Sequence, residues 1–349
     1  MRIDKVKLKE LIKNKVASAG LNDEHADVVS DVLVHADLRG IHSHGAMRVE
    51  YYAERIAKGG INTNPDVKFE KTGPSTAVLD ADGGVGHYMA NAGMDEAIKM
   101  AKENGVAVVG VKNMSHSGAL SYFVQKAADE QMVALSMCQS DPMVIPFGGA
   151  ESYYGTNPIA FAAPSSNGKS IIIDMATTVQ AWGKVLHARS KNESIPDTWA
   201  VDESGEPTTD PFKVKSLVPI AGPKGYGLMM MVDVLSGILL GLPFGKQVSS
   251  MYEDLTEYRK LGQLHIVINP EFFGDKQAFL DTVTKTMQEL VEIKPAKGFD
   301  RVMYPGEPEI LRSEIYEKEG IEIVDEIYDY LESDVIHNNN YDHKDPFAK

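Results

Sequence analysis

The sequence predicts an α+β fold, a helical N-terminal part followed by strands flanked by helices, and three observations carry that expectation. Apolar residues keep a helical period through about residue 60. From residue 62 onward, short apolar runs alternate with amphipathic stretches. No G-x-G-x-x-G fingerprint follows any strand-like run, so a Rossmann sheet is not expected. At 349 residues the chain exceeds what one core usually supports, and two or three domains are expected.

In order along the chain, Val6, Leu8, Leu11, Ile12 and Val16 mark a first helix that Gly20 stops. Asn22 or Asp23 caps a second, through Val28, Val29, Val32 and Leu33 to about Gly40, and a third runs from about Ser43 to Lys58. Thr76–Asp80 reads as a strand, His87–Asn104 as an amphipathic helix, Val106–Val111 as a strand and Gly118–Gln131 as a helix. Strands follow at Met132–Cys138, Ile159–Ala163 and Ser170–Asp174, with a helix near Val179–Leu186. Residues 190–222, rich in Pro, Asp and Ser, read as a long irregular lid or arm. Leu228–Leu242 is apolar, but Asp233 interrupts it and it is too short to span a bilayer, so a core or interface helix is expected. Leu264–Ile268 is a strand and Lys276–Leu290 a helix, helical patterns return at 307–319 and 321–332, and Asn338–Lys349 is a polar, loosely held tail. The expected division is a helical region 1–65 packing with helices in 307–335, a central sheet domain 66–222 that binds a cofactor, a segment 223–306 completing the cleft, and the tail 336–349.

The net charge of −15 argues against nucleic acid or an anionic membrane as partner, since both require clustered basic surface. A single cysteine, Cys138, rules out an internal disulfide framework and suggests a reducing compartment, with no signal peptide at the N-terminus and a cytoplasmic location expected. Two N-x-S tripeptides, at Asn113 and Asn192, are discounted in that setting.

The chemistry is expected at Met114–Ser115–His116–Ser117–Gly118, where a buried strand would hand over to a helix. An imidazole there suits general acid–base work; the alternative is a helix cap made by Ser115 or Ser117. Asp141, just past the strand ending at Cys138, could orient such a ring, or Ser140–Asp141–Pro142 could be an ordinary turn. In a second cluster, Gly40–Ile41–His42–Ser43–His44–Gly45, a helix starting at Ser43 would put His44, Arg48 and Tyr52 on one face, a wall for a small acid. His42 and His44 could instead suggest zinc, but no third ligand is evident, and no metal is expected. Asp174–Met175–Ala176 ends a strand in residues that permit close approach of a ligand. The glycine-rich segment around Lys224 precedes a helix whose positive end would favour a pyrophosphate.

Gly40–Gly45, Arg48–Arg55 and Ser115–Gly118 together resemble the malate/L-lactate dehydrogenase family, which lacks a Rossmann fold. The likeness runs through Ser136–Met143, Pro146–Glu151, Tyr154–Pro158, Ser194–Trp199, Gly222–Met231 and Gly245–Tyr252 and covers nearly the full chain, most weakly at 271–297 and 307–319. It implies a mixed, largely antiparallel sheet, NAD as cofactor and a homodimer or larger homo-oligomer. The implied reaction is oxidation of (S)-ureidoglycolate to oxalurate in allantoin breakdown. Carried onto this chain, His116 is the proton acceptor. Ser140, Asp174, Met175, Ala176, Lys224, Tyr304, Pro305, Gly306 and Glu307 hold the cofactor. Arg48, His116 and Arg259 hold substrate, with Ser43, His44 and Tyr52 beside them and Asp141 in catalysis. Met303 stands where an aromatic residue is expected. Rival readings are another small 2-hydroxy acid (malate, lactate or a sugar acid), a zinc-dependent hydrolase of a ureido compound, and a nucleotide-sensing module without catalysis.

Overall fold

The computed structural model describes residues 1–342. The chain opens with a two-residue strand β1 (Arg2–Ile3), then α1 (Lys5–Ser18) and α2 (Asp23–Leu38). Asp4 caps α1 by accepting from Val6 N–H at 2.8 Å, and Asn22 caps α2 by accepting from His25 N–H at 2.8 Å. After α3 (Val49–Ala57) come β2 (Lys68–Lys71), β3 (Thr76–Asp80), α4 (Gly86–Asn104), β4 (Val106–Met114) and α5 (Ser121–Asp129). Next are β5 (Val133–Cys138), β6 (Ile159–Pro164), β7 (Ser170–Met175) and α6 (Trp182–Lys191), then β8 (Ala200–Val201) and β9 (Ser216–Leu217). The remainder is α7 (Pro223–Ser236), β10 (Leu261–Ile268), α8 (Lys276–Glu292), α9 (Glu307–Glu319), β11 (Ile321–Glu322) and α10 (Asp325–Glu332).

Seven strands form the main sheet in the order β2-β3-β4-β10-β5-β6-β7, and only β3 and β4 are parallel neighbours. The parallel pair is joined by α4, as a parallel connection requires, and every other neighbouring pair is antiparallel. The sheet is thus mixed and largely antiparallel. Because β4, β5 and β7 run the same way and β10 runs against them, the C-terminal ends of the first three and the N-terminal end of β10 share one edge. Met89, Met94 and Ala97 of α4 and Phe123 and Val124 of α5 bury that sheet's Val109, Val111, Ala134 and Ala160. A second apolar cluster joins the two ends of the chain: Leu8, Ile12, Val29 and Leu33 pack with Tyr316, Ile321 and Leu331, while β1 pairs with β11.

Four expectations change. The single helix from Ser43 is two 3-10 turns, His42–His44 and Ala46–Arg48, followed by α3. The cause is Asp37, whose buried carboxylate accepts from His42 Nδ1 at 2.8 Å and from Ala46 N–H at 2.7 Å and presses on Gly45, where any Cβ would collide with it. The irregular segment 190–222 is not a free arm: β8 and β9 pair, and Ala200, Val214 and Leu217 are buried with Trp182, Val185 and Met229. The apolar helix begins at Pro223 and ends at Ser236; Met229 and Val232 are buried, but Met230, Met231 and Val234 face outward. Finally, Asn338 N–H and Nδ2 donate to Glu50 at 3.0 and 2.8 Å, and Tyr341 N–H to Glu54 at 3.2 Å, so the tail is held against α3 through these residues. Its last part, 343–349, lies outside the described residues.

Candidate active site

The shared sheet edge places the chemistry. Leu261 pairs with Met114 and Gln263 with Cys138, so His116, two residues past β4, Arg259, two residues before β10, and Asp141, three residues past β5, leave adjacent strand ends. Side chains fixed on strand ends keep their aim, because the ladder leaves the backbone little freedom.

The loop bearing His116 is pinned on both sides. Ser115 Oγ accepts from Gly86 N–H at 2.8 Å, capping α4 and not the following helix. Ser117 Oγ donates to Gln263 Oε1 at 2.7 Å, and Gln263 Nε2 donates to Ser136 Oγ at 3.0 Å, a chain of bonds from the loop through β10 to β5. Gly118 holds φ +85°, and a Cβ there would stand 2.8 Å from Val32 Cγ1 and 3.1 Å from His87 Cδ2, so only glycine fits the turn. Between these anchors, His116 Nδ1 lies 2.7 Å from the Tyr52 hydroxyl and 3.3 Å from Gly118 N–H. The ring centroid of His44 is 5.9 Å away and that of His87 is 6.5 Å away.

Charge around this ring is one-sided. Burial, with neighbouring His44, His87, Arg48 and Arg259, holds the His116 imidazole well below the ordinary histidine value of 6.5. Burial likewise pushes His44 down to about 4 and His87 down to about 3. All three rings are neutral near pH 7, and His116 therefore offers a lone pair. His87 is fully buried and neither ring nitrogen finds a partner; its ring meets Tyr52 edge-on at 4.7 Å.

Arg48 Nε donates to the Ser43 carbonyl at 2.7 Å and Nη1 to the Tyr252 hydroxyl at 2.8 Å, while Ser43 Oγ lies 3.0 Å from His44 Nδ1. Among the described residues, no carboxylate pairs with Arg48. Arg259 is different: its Nη2 donates to Asp141 Oδ1 at 2.9 Å and to the Ser249 carbonyl at 2.6 Å. Asp141 Oδ2 accepts from Met251 N–H at 3.0 Å. The expected Asp141–His116 contact is thereby replaced: Tyr52 orients the imidazole, and the carboxylate is committed to a guanidinium. The proposed zinc pair is also separated, because His42 turns to Asp37 while His44 turns to Ser43 and His116.

Asp174 projects from the end of β7 on the same edge, and Oδ2 accepts from Ser121 N–H at 2.7 Å, at the start of α5. Burial raises its carboxyl above the usual range against the pull of that bond. With Ser121, Arg39, Tyr304, Pro305 and Gly306 it lines a cavity of about 660 Å³, large enough for a nucleoside moiety. Pro305 O accepts from Ile172 N–H at 3.0 Å and so ties that loop to β7. Met303 lines the cavity where an aromatic ring was expected. Glu307 does not line it: Arg301 pairs with Glu307, leaving Oε2 buried without a partner. Met175 ends β7, Ala176 follows it, and both are half-buried. Ser140 N–H donates to Asn157 Oδ1 at 3.1 Å, its Oγ lying 3.2 Å from Thr156 Oγ1. Lys224 is exposed in the first turn of α7, without an ion pair among the described residues. An unpaired cation at a helix N-terminus and a carboxylate in a nucleoside-sized cavity suit, respectively, the pyrophosphate and a ribose of a dinucleotide.

Sequence reading missed His87, Tyr252, Gln263 and Asp37 as parts of the site. Tyr252 lies 204 residues from Arg48, and Gln263 lies 146 from Ser117. No local spacing marks such pairs; the one available signal was the apolar strand that carries Gln263.

The malate/L-lactate dehydrogenase family matches residues 3–332. The ureidoglycolate dehydrogenase (NAD(+)) of Escherichia coli strain K12 is 62% identical over 349 residues, covering 100% of both chains. Among solved structures, the sulfolactate dehydrogenase of Methanocaldococcus jannaschii superposes with a TM-score of 0.88 at 38% identity, covering 95% of each chain. The malate dehydrogenase of Pyrococcus horikoshii gives a TM-score of 0.86 at 35% identity, covering 95% of this chain and 93% of that one.

Proposed function

From its place in the malate/L-lactate dehydrogenase family, to which this chain belongs, we propose that it oxidises (S)-ureidoglycolate to oxalurate with NAD as hydride acceptor. The observation that carries the reading is the imidazole of His116, kept neutral at a strand end, hydrogen-bonded to a buried phenol and flanked by an arginine without a carboxylate partner. The substrate preference is supported by the 62% identity to a ureidoglycolate dehydrogenase along the whole chain.

Arg48 receives the substrate carboxylate, and its bonds to Ser43 and Tyr252 hold the guanidinium plane in place. That contact fixes which face of the reacting carbon is presented. His116 takes the hydroxyl proton at Nε2. For this, its own proton must sit on Nδ1, with the Tyr52 oxygen accepting it at 2.7 Å. The ring then carries N–H on both nitrogens, and in the reverse direction Nε2 returns that proton while Nδ1–H stays on the Tyr52 oxygen. When bound, NAD supplies the ring that accepts hydride; Asp174, Lys224, Tyr304 and Gly306 are the residues proposed to hold it, with Ser140, Met175, Ala176, Pro305 and Glu307 around them.

The outward apolar face of α7 (Met230, Met231 and Val234, continued by Ile238 and Leu239) supports a homodimer, since a second copy would cover it. The single free thiol supports the cytoplasm as its compartment. No described helix is long and apolar enough to cross a membrane. The deciding assay follows nicotinamide reduction with ureidoglycolate, malate, sulfolactate and lactate side by side. A kcat/KM for ureidoglycolate at or below that for the others overturns the reading.

A further inference from the structure

The charges that face the proposed substrate sum in an informative way. Arg48 is a cation without a carboxylate partner, and Arg259 is a cation neutralised by Asp141 at 2.9 Å. Burial opposes the charge on Arg259, but the Asp141 carboxylate and the phenols of Tyr51 and Tyr252 more than offset it, so the guanidinium stays charged. Another buried guanidinium, Arg55, is held by the backbone: its three nitrogens donate to the carbonyls of Gly60, Met251 and Glu257. With His44, His87 and His116 neutral, Arg48 is the one cation acting on His116 that no carboxylate compensates.

The Asp141–Arg259 pair also presents a hydrogen-bonding pattern. Arg259 Nε is buried and finds no acceptor, an orphan donor that costs stability unless a ligand satisfies it. Each Asp141 oxygen accepts a single protein bond and has room for another. A donor beside an acceptor matches an amide or urea, whose carbonyl and N–H lie side by side. A second carboxylate or a sulfonate offers acceptors alone and would meet Asp141 with like charge.

We propose that Asp141, by neutralising Arg259 and presenting its own oxygens, selects monoanionic hydroxy acids bearing an uncharged amide or ureido substituent and rejects dianionic ones. This rests on the hydroxy-acid reading of the site, and it makes Asp141 a specificity residue instead of a proton-transfer group. It separates this chain from its sulfolactate and malate dehydrogenase relatives by chemistry, since those substrates carry two negative charges.

The test uses the full chain and its Asp141→Asn variant, with kcat/KM for ureidoglycolate and for malate. The variant keeps the shape and frees the charge of Arg259. The ratio favouring ureidoglycolate should fall by roughly 10- to 100-fold, with part of the change a gain on malate. A ratio unchanged within about twofold in a folded variant overturns the proposal. Calorimetric binding of oxalurate and oxaloacetate to the wild-type protein with NADH gives a second reading that needs no variant. Oxalurate should bind more tightly by about tenfold or more, and equal or reversed affinities overturn the proposal. Failure of the wild type to turn over any hydroxy acid would instead refute the parent reading, which the binding comparison does not share.

Discussion

Exchanging His87 for leucine isolates one buried imidazole from everything else in the molecule. His87 is fully buried, both of its nitrogens lack partners, and burial holds its folded value at about 3 against 6.5 for the free side chain. Below 6.5 the unfolded chain takes up a proton that the folded chain refuses. Stability from this group is therefore complete above that value and drains away as the pH falls toward about 3. Each pH unit is worth about 1.4 kcal/mol, so a fall to about pH 5 removes about 2 kcal/mol for His87. His44 and His265, each pushed down to about 4 by burial, act in the same direction. Together the three remove about 6 kcal/mol, a large part of the 5–15 kcal/mol that folded proteins possess. Asp37, Asp174 and Asp233, raised by burial, bind protons in the folded state and work in the opposite direction. The informative quantity is accordingly the difference between variant and wild type. Urea unfolding between about pH 7.5 and pH 5 should show His87→Leu losing about 2 kcal/mol less than wild type, with no penalty at the higher pH because no hydrogen bond is broken. Parallel curves for the two proteins would refute the assignment of a neutral, unpartnered ring.

Three further outcomes can be checked by kinetics and unfolding. His116→Ala should lower kcat by ~10²–10⁴-fold in steady-state assays while leaving cofactor binding, read by fluorescence titration, unchanged. Tyr52→Phe removes the 2.7 Å partner of Nδ1 and should cost roughly 10- to 100-fold in kcat, with a shifted acid limb in the pH profile that a purely structural defect would not produce. Gly118→Ala forces a Cβ into a φ of +85° against Val32 and should cost about 1–3 kcal/mol in the same urea assay.

Much of the fold was legible because its signals are local. The cap at Asn22, helical spacing through Val16 and Leu33, and apolar runs such as Val106–Val111 act over a few residues, and the observed elements start close to where they point. The helix expected from Ser43 failed for a non-local reason: the carboxylate of Asp37 reorganised the turn around Gly45. His44 and Tyr52 still meet His116, although by different backbone geometry than one helical face. Asp141 was read as a possible partner for His116, but its carboxylate pairs with Arg259, 118 residues away, which nothing in sequence spacing indicates.

Composition, periodicity and motif chemistry were enough to determine an α+β chain with a histidine at a strand end, an arginine nearby and no Rossmann fingerprint. Those properties depend on side chains a few positions apart. Strand order was decided only in the folded molecule, where β10 inserts between β4 and β5 and brings residues 116, 141 and 259 to one edge. That arrangement determines which cation is neutralised and which is left for a ligand. Electrostatic pairing depends on distance in space, and the sheet, by closing contacts between strands far apart in the chain, sets those distances.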